Sequence, residues 1–317
     1  MTDVRLLGAE GARPAERHPL AALDLARRLP SLVVAARQVA ATVLHGVHGR
    51  RRAGMGETFW QFRPFTVGES TTQIDWRRSA RDDRVYVRER EWEAAHTIWI
   101  WVDRSPSMAY VSALAREPKI DRALTLGLAA ADLLVRGGER VGLPGLTRPL
   151  ATRAIVDRFA EAFIEEAARP DRAPQELPAP EPLAPRSQAV LIGDFLSDAA
   201  DIARTIETMA SRGALGHVLM IADPVEETFP FTGHTELVDV DGPARMRVGD
   251  AAALQATYVA RLAAHRDAIR ATCIRLGWTF AIHRTDRPAS EALLALRMSL
   301  EAASDAASSP ALTTGGR

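Results

Sequence analysis

Apolar residues recur at helical spacing from Leu20 to about Val47, at Leu23, Leu25, Leu29, Leu32, Val33, Ala36, Val39, Ala40 and Val43. Pro30 divides the stretch, which predicts one broken helix or two short ones. Residues 1–19 mix Arg, Glu and Pro without a period and are expected to form a loose leader. From Gly49 to Glu93 glycines, aromatics and arginines interleave, which predicts short strands and turns.

A different rhythm starts at His96. His96-Thr97-Ile98-Trp99-Ile100-Trp101-Val102 is a continuous apolar and β-branched run ending at Asp103, as expected of a strand buried on both faces. Helices are expected over Ile120–Val135, Thr152–Ala168, Ile202–Ser211, Ala251–Leu276 and Ser290–Ala303. Strands are expected over Arg140–Leu146, Ala189–Gly193, His217–Ala222 and Trp278–His283. Two further strands end in an aspartate, Asp194 and Asp223. Asp241-Gly242 between Thr235–Val240 and Ala244–Val248 is a hairpin signal.

Alternating strands and helices predict an α/β fold with a doubly wound, Rossmann-like and mainly parallel sheet, carrying an N-terminal helix and small β-rich additions. The expected organisation is a leader over 1–19, a helical and β-rich segment over 20–95, the α/β domain over 96–303 and a disordered tail over 304–317. Within the α/β domain, 169–187 reads as a Pro-rich linker and 224–250 as a small β addition.

Composition changes this picture mainly by exclusion. The 317 residues balance 40 basic against 40 acidic side chains, so no global field draws in nucleic acid or an anionic membrane. Cys273 is the only cysteine, which rules out an intrachain disulfide. Lys119 is the only lysine, every other basic residue being arginine. No glycine-rich loop precedes it, so the chain is no P-loop ATPase. Its setting, Glu117-Pro118-Lys119-Ile120, reads as charged and exposed, with nothing to depress its pKa for Schiff-base chemistry. No apolar run reaches the roughly 18 to 20 residues that span a bilayer, and Met1-Thr2-Asp3-Val4-Arg5 has no apolar signal region, so a cytoplasmic location is expected.

Ligands of a doubly wound sheet bind outside the carboxyl ends of its strands. There the sequence places Asp103-Arg104-Ser105-Pro106-Ser107-Met108 and Asp194-Phe195-Leu196-Ser197-Asp198. The Asp103 carboxylate and the Ser105 and Ser107 hydroxyls can converge on one hard cation such as Mg²⁺, or Mn²⁺, with Asp194 holding one of its waters. The competing reading is that the serines cap the next helix and the aspartate ends the strand. The position of the loop after an Ile/Trp/Val strand, with a matching strand and Asp downstream, favours the cation.

Asp-x-Ser-x-Ser after a strand, followed by α/β alternation, resembles the von Willebrand factor A domain and its metal-ion-dependent adhesion site. The resemblance implies that Asp103, Ser105 and Ser107 supply the first loop, Asp194 the third, and a threonine the second, for which Thr147 and Thr152 are both candidates. The N-terminal half resembles the bacterial domain-of-unknown-function-58 family more specifically. The matching residues are Gly54-x-Gly56-Glu57-x-Phe59, Arg63-Pro64-Phe65-x-x-Gly68-Glu69, Ile74-Asp75-Trp76-Arg77-x-Ser79-Ala80-Arg81 and Val87-Arg88-Glu89-x-Glu91. Members are often encoded beside MoxR-type AAA+ ATPases, which implies a partner of that kind and a role in complex assembly or remodelling.

Arg77, Arg78, Arg81, Arg84, Arg88 and Arg90 alternate with Asp75, Asp82, Asp83, Glu89 and Glu91, so local charge nearly cancels and phosphate binding is disfavoured. An ion-paired seam is the plainer reading. The sharper one makes Trp76, Arg77 and Arg81 a docking surface, since Trp and Arg dominate interface hot spots. His45 and His48 lack further ligands at zinc spacing, His217 and His283 read as satisfied core or edge residues, and Cys273 as an inert buried thiol. The expectation is thus a non-enzymatic interaction protein with a Mg²⁺ site. A metal-dependent phosphohydrolase is weaker for want of a lysine clamp, and a metal-free scaffold is the third reading.

Overall fold

The computed structural model describes residues 17–47, 59–66, 71–81, 84–90, 96–169, 175–238 and 245–308. The chain divides into a larger unit, through Gly46 and again from His96, and a smaller unit, Val47–Ala95. The helix that the sequence places in the 20–95 segment therefore belongs with the larger unit.

That helix, α1 (Arg17–Val47), is continuous, with Pro30 inside it. The expected break at Pro30 does not occur, and the helix already starts within the expected leader. Proline in a helix interior costs about 3 kcal/mol, since it removes one backbone bond and crowds the carbonyl a turn earlier. Against this, Leu25, Leu29, Leu32, Ala36, Ala40 and Val43 are all buried in one core with the sheet, and each large side chain is worth about 2 kcal/mol. Packing wins, as it usually does over propensity.

The larger unit is built on a five-stranded sheet of β3 (Thr97–Val102), β4 (Arg140–Gly142), β5 (Gln188–Gly193), β6 (Leu215–Ala222) and β9 (Thr279–Arg284), in the order β4-β3-β5-β6-β9. All four pairings are parallel. Period-two alternation sends Ile98, Ile100 and Val102 into one core with Val190, Ile192, Leu219 and Ile221. Trp101, Ala189, Leu191, Val218 and Met220 go into the other.

On the first face lie α3 (Lys119–Arg136), α4 (Ile155–Ala167) and α8 (Ala289–Ser308), with α1. The second face is covered by α5 (Ala199–Ala210) and α7 (Gln255–Arg275). The described part of the Pro-rich stretch has neither helix nor strand, but it is no free spacer: Leu183 is buried in the second core and its N–H donates to the Met209 carbonyl. The helix α8 runs into the expected tail as far as Ser308.

The order of the strands fixes where a ligand fits. From β3 the chain moves outward to β4, then crosses back to β5 on the other side of β3. The order in which strands are added therefore reverses between β3 and β5, and the crevice at such a switch point is where doubly wound folds bind ligands.

Smaller elements complete the larger unit. α6 (Pro224–Thr228) follows β6 and is held by a capping box between Asp223 and Glu226. β7 (Thr235–Val238) and β8 (Arg245–Val248) pair antiparallel as expected, while the Asp241-Gly242 turn lies outside the described residues.

In the smaller unit, β1 (Phe59–Pro64) and β2 (Tyr86–Arg90) form an antiparallel pair. A single turn, α2 (Trp76–Ser79), is capped by the Asp75 side chain accepting from Arg78 N. The Arg78 guanidinium stacks on the Tyr86 ring at 4.6 Å.

Candidate metal centre at the switch point

Asp103 is the first residue past β3 and is fully buried. Its backbone N–H donates to the Ile192 carbonyl at 2.8 Å, which extends the β3–β5 ladder and brings Asp103 beside Gly193. That approach requires the glycine. A Cβ at residue 193 would lie 2.8 Å from Asp103 Cβ and 3.1 Å from Oδ2, tighter than two packed carbons allow. Gly193→Ala is expected to lower stability by about 2 kcal/mol, as overpacking of a tight core does. Chemical denaturation checks this, and an unchanged midpoint would mean that the strand ends are less closely apposed.

The Asp103 carboxylate uses its two oxygens differently. Oδ1 accepts from Ser105 N at 2.8 Å, which closes the loop. Oδ2 is buried and has no hydrogen-bond partner. An orphaned carboxylate oxygen in a protein interior is costly unless something satisfies it. Burial, and next the neighbouring Asp194 carboxylate, push Asp103 up to about 7, against the opposing bonds from Ser105. The Ser105 and Ser107 hydroxyls lie 3.0 Å apart, so the three oxygen-bearing side chains of the loop are adjacent. Ser105 stands at the N-cap of the 3-10 turn Pro106–Ala109, and its side chain makes no capping bond there.

Asp194, the first residue past β5, is buried as well. Its partner is one that sequence reasoning placed elsewhere. Lys119, expected to be exposed, is only 1% exposed, and its ammonium donates to Asp194 Oδ2 at 3.0 Å and to Glu226 Oε1 at 2.5 Å. The Tyr110 ring lies 5.8 Å away. Burial alone would lower the Lys119 pKa, but Glu226 and then Asp194 outweigh it and raise it above the ordinary lysine value. The charged residues around Lys119 had masked its register. It stands four and seven residues before Ala123 and Leu126, on a buried helix face, and that spacing was a legible signal.

A third strand-end aspartate is committed to structure. Asp223 Oδ1 accepts from Val225 N and Oδ2 from Ser112 N, tying the loop before α3 to the β6–α6 corner. Arg104, between the motif residues, pairs with Glu166 and stacks on the Phe163 ring at 4.7 Å, so it anchors the loop to α4.

The structure thus brings Asp103, Ser105, Ser107 and Asp194 together. Thr152 lies three residues ahead of α4, where its hydroxyl accepts from the N–H of Ala154, the residue before that helix. Thr147 accepts from Leu143 N and closes its own turn. Trp76, Arg77 and Arg81 lie in the smaller unit, all exposed, with Trp76 at 65%.

Among the described residues no three His, Cys, Asp or Glu side chains cluster as a metal site. A cation at the switch point would rest on Asp103 and the two hydroxyls, with Asp194 behind. That is a sparse, oxygen-only set of the kind Mg²⁺ accepts while keeping waters. The residues fit: Asp103 Oδ2 is buried and unsatisfied, and a second carboxylate, Asp194, stands beside it. Among the described residues no helix is long and apolar enough to cross a membrane.

Comparison with known proteins agrees with the resemblance to the domain-of-unknown-function-58 family. Uncharacterized proteins of Mycobacterium tuberculosis and Mycobacterium bovis are each 26% identical over 310 residues, covering 88% of this chain and 92% of theirs. Two solved structures superpose weakly. The conserved hypothetical protein BatB of Bacteroides thetaiotaomicron has a TM-score of 0.40 at 11% identity, covering 67% of this chain and all of its own. An aerotolerance-related membrane protein of Bacteroides fragilis has a TM-score of 0.39 at 13% identity, covering 66% of this chain and all of its own. Likeness at that level decides nothing. The model of the family described as "Protein of unknown function DUF58" matches residues 61–268, about two thirds of the sequence, and the chain belongs to that family.

Proposed function

We propose that the chain is a non-enzymatic protein-interaction module of von Willebrand factor A-like design. Asp103, Ser105 and Ser107 hold Mg²⁺, or Mn²⁺, at the switch point, and Asp194 supports it from behind. Thr152, ahead of α4, is the second-loop threonine of this reading. When bound, the cation supplies a Lewis-acidic position open to a carboxylate. The partner therefore presents an acidic side chain, and the exposed Leu196, two residues past Asp194, offers apolar surface. In the same reading the partner is a MoxR-type AAA+ ATPase acting in complex assembly or remodelling, in the cytoplasm where ATP is at hand. Trp76, Arg77 and Arg81 form a second docking surface.

The observation that carries the reading is the buried, unpartnered Oδ2 of Asp103 beside two adjacent hydroxyls, in the crevice where the strand order reverses. A phosphohydrolase remains the alternative, because a lysine does stand at the site. Lys119, however, gives its ammonium to two carboxylates and is sealed from solvent, so it offers no clamp to a phosphate. Thermal shift with Mg²⁺ or Mn²⁺ on wild type and Asp103→Ala tests the reading. Wild type is expected to be stabilised and the variant not, whereas equal responses, or none, would sink the metal claim.

A further inference from the structure

We propose that Lys119 is a built-in counter-cation that attenuates the switch-point site, holding its cation affinity below what its carboxylates alone would give. This inference rests on the reading of that site as a cation site.

Three observations lead to it. First, the ammonium is bonded to Asp194, the residue beside Asp103, and it is inside the protein, where solvent and salt screen little. Second, Lys119 is fixed in place. It opens α3, its backbone N–H donates to the Tyr110 carbonyl, and its charge is shared with Glu226 from the β6–α6 corner. Third, Glu226 is itself oriented by the capping box, its Oε2 accepting from Asp223 N at 2.9 Å while Oε1 accepts from Lys119. The ammonium is therefore divided between a carboxylate at the site and one outside it. The division sets how much of Asp194's charge is left to act on a cation bound at Asp103.

The sign of each change follows from Coulomb's law. Removing the ammonium leaves Asp194 and Glu226 unopposed and strengthens the field on a divalent ion. Removing only the Glu226 charge gives the whole ammonium to Asp194 and weakens that field. A unit charge within several ångströms of a divalent ion, in a medium of intermediate dielectric, changes affinity by about tenfold or more.

A lysine that serves packing alone would act otherwise. Its loss would lower stability and leave cation affinity unchanged. Only an ammonium that opposes the site raises affinity when it is removed. Glu226→Gln reports whether the charges at this corner reach the cation, and Lys119→Gln repeats the charge deletion with a polar side chain if Lys119→Met folds poorly.

The experiment is calorimetric titration of Mn²⁺ into the full chain at pH 8, chosen to keep the carboxylates ionised, with melting temperatures taken alongside. Expected are affinity at least about tenfold tighter for Lys119→Met, with a lower melting temperature when cation-free, and weaker affinity for Glu226→Gln. Wild type that binds Mn²⁺, with either variant unchanged or both weakened, overturns the attenuation and leaves the cation site standing. Wild type that takes up no Mn²⁺ overturns both.

Discussion

Asp103→Asn is expected to stabilise the cation-free protein and to abolish its response to Mg²⁺ in the same stroke. The two effects have one cause. In the folded chain, burial and Asp194 push the Asp103 carboxyl up to about 7, whereas an unfolded aspartate titrates near 4. Between those values the folded state holds the extra proton, so stability falls as pH rises and the full cost is present above pH 7. Holding that carboxyl near 7 and not near 4 corresponds to roughly 4 kcal/mol. An asparagine keeps the acceptor for Ser105 N without the charge. Urea denaturation at pH 5 and pH 8, with and without Mg²⁺, should show the variant gaining on wild type at pH 8 and losing the cation's effect. A variant that is less stable at pH 8 would mean that Asp103 is already satisfied by something other than a cation.

The second large effect has the opposite sign of pH dependence. Burial drives His217 down to about 4, and burial, followed by the Arg122 guanidinium, does the same to His283 against the pull of Asp286. His217 is satisfied as a neutral ring, with Nδ1 2.8 Å from Thr279 Oγ1 and Nε2 3.2 Å from Gln188 Oε1. Below about pH 6.5 the unfolded imidazole takes up a proton that the folded one refuses, so stability is lost as pH falls from 6.5 toward 4. Each histidine contributes on the order of 3 kcal/mol across that window. The measurement belongs in the Asp103→Asn background, which removes the opposing carboxylate. His217→Gln should flatten the acid limb there by roughly half, and an unaltered slope would mean that the ring is protonated in the fold.

The α/β class, the strand-ending aspartates and the Asp-x-Ser-x-Ser loop were all legible, because buried parallel strands write themselves as continuous apolar runs. Strand order was not. Nothing in the local pattern of Arg140–Gly142 or Gln188–Gly193 says that they flank β3 on opposite sides, yet that arrangement makes the crevice between Asp103 and Asp194. Pro30 misled because propensity is local while the burial of Leu25, Leu29 and Leu32 is tertiary. Lys119 misled for a related reason. Glu117 and Pro118 beside it look like surface, and only the distant Asp194 and Glu226 explain a buried ammonium. Gly193, read from the sequence only as the end of a strand, proves to be the residue that lets the two strand ends meet.

The account stands or falls on whether a cation sits against Asp103. A crystal structure of the full chain grown with Mn²⁺, examined by anomalous scattering, answers this directly. The account predicts one anomalous peak in the crevice between β3 and β5, coordinated by Asp103 Oδ2 with the Ser105 and Ser107 hydroxyls turned toward it. An ordered crevice without a peak, with Oδ2 still unpartnered or bonded to a protein group, would contradict it.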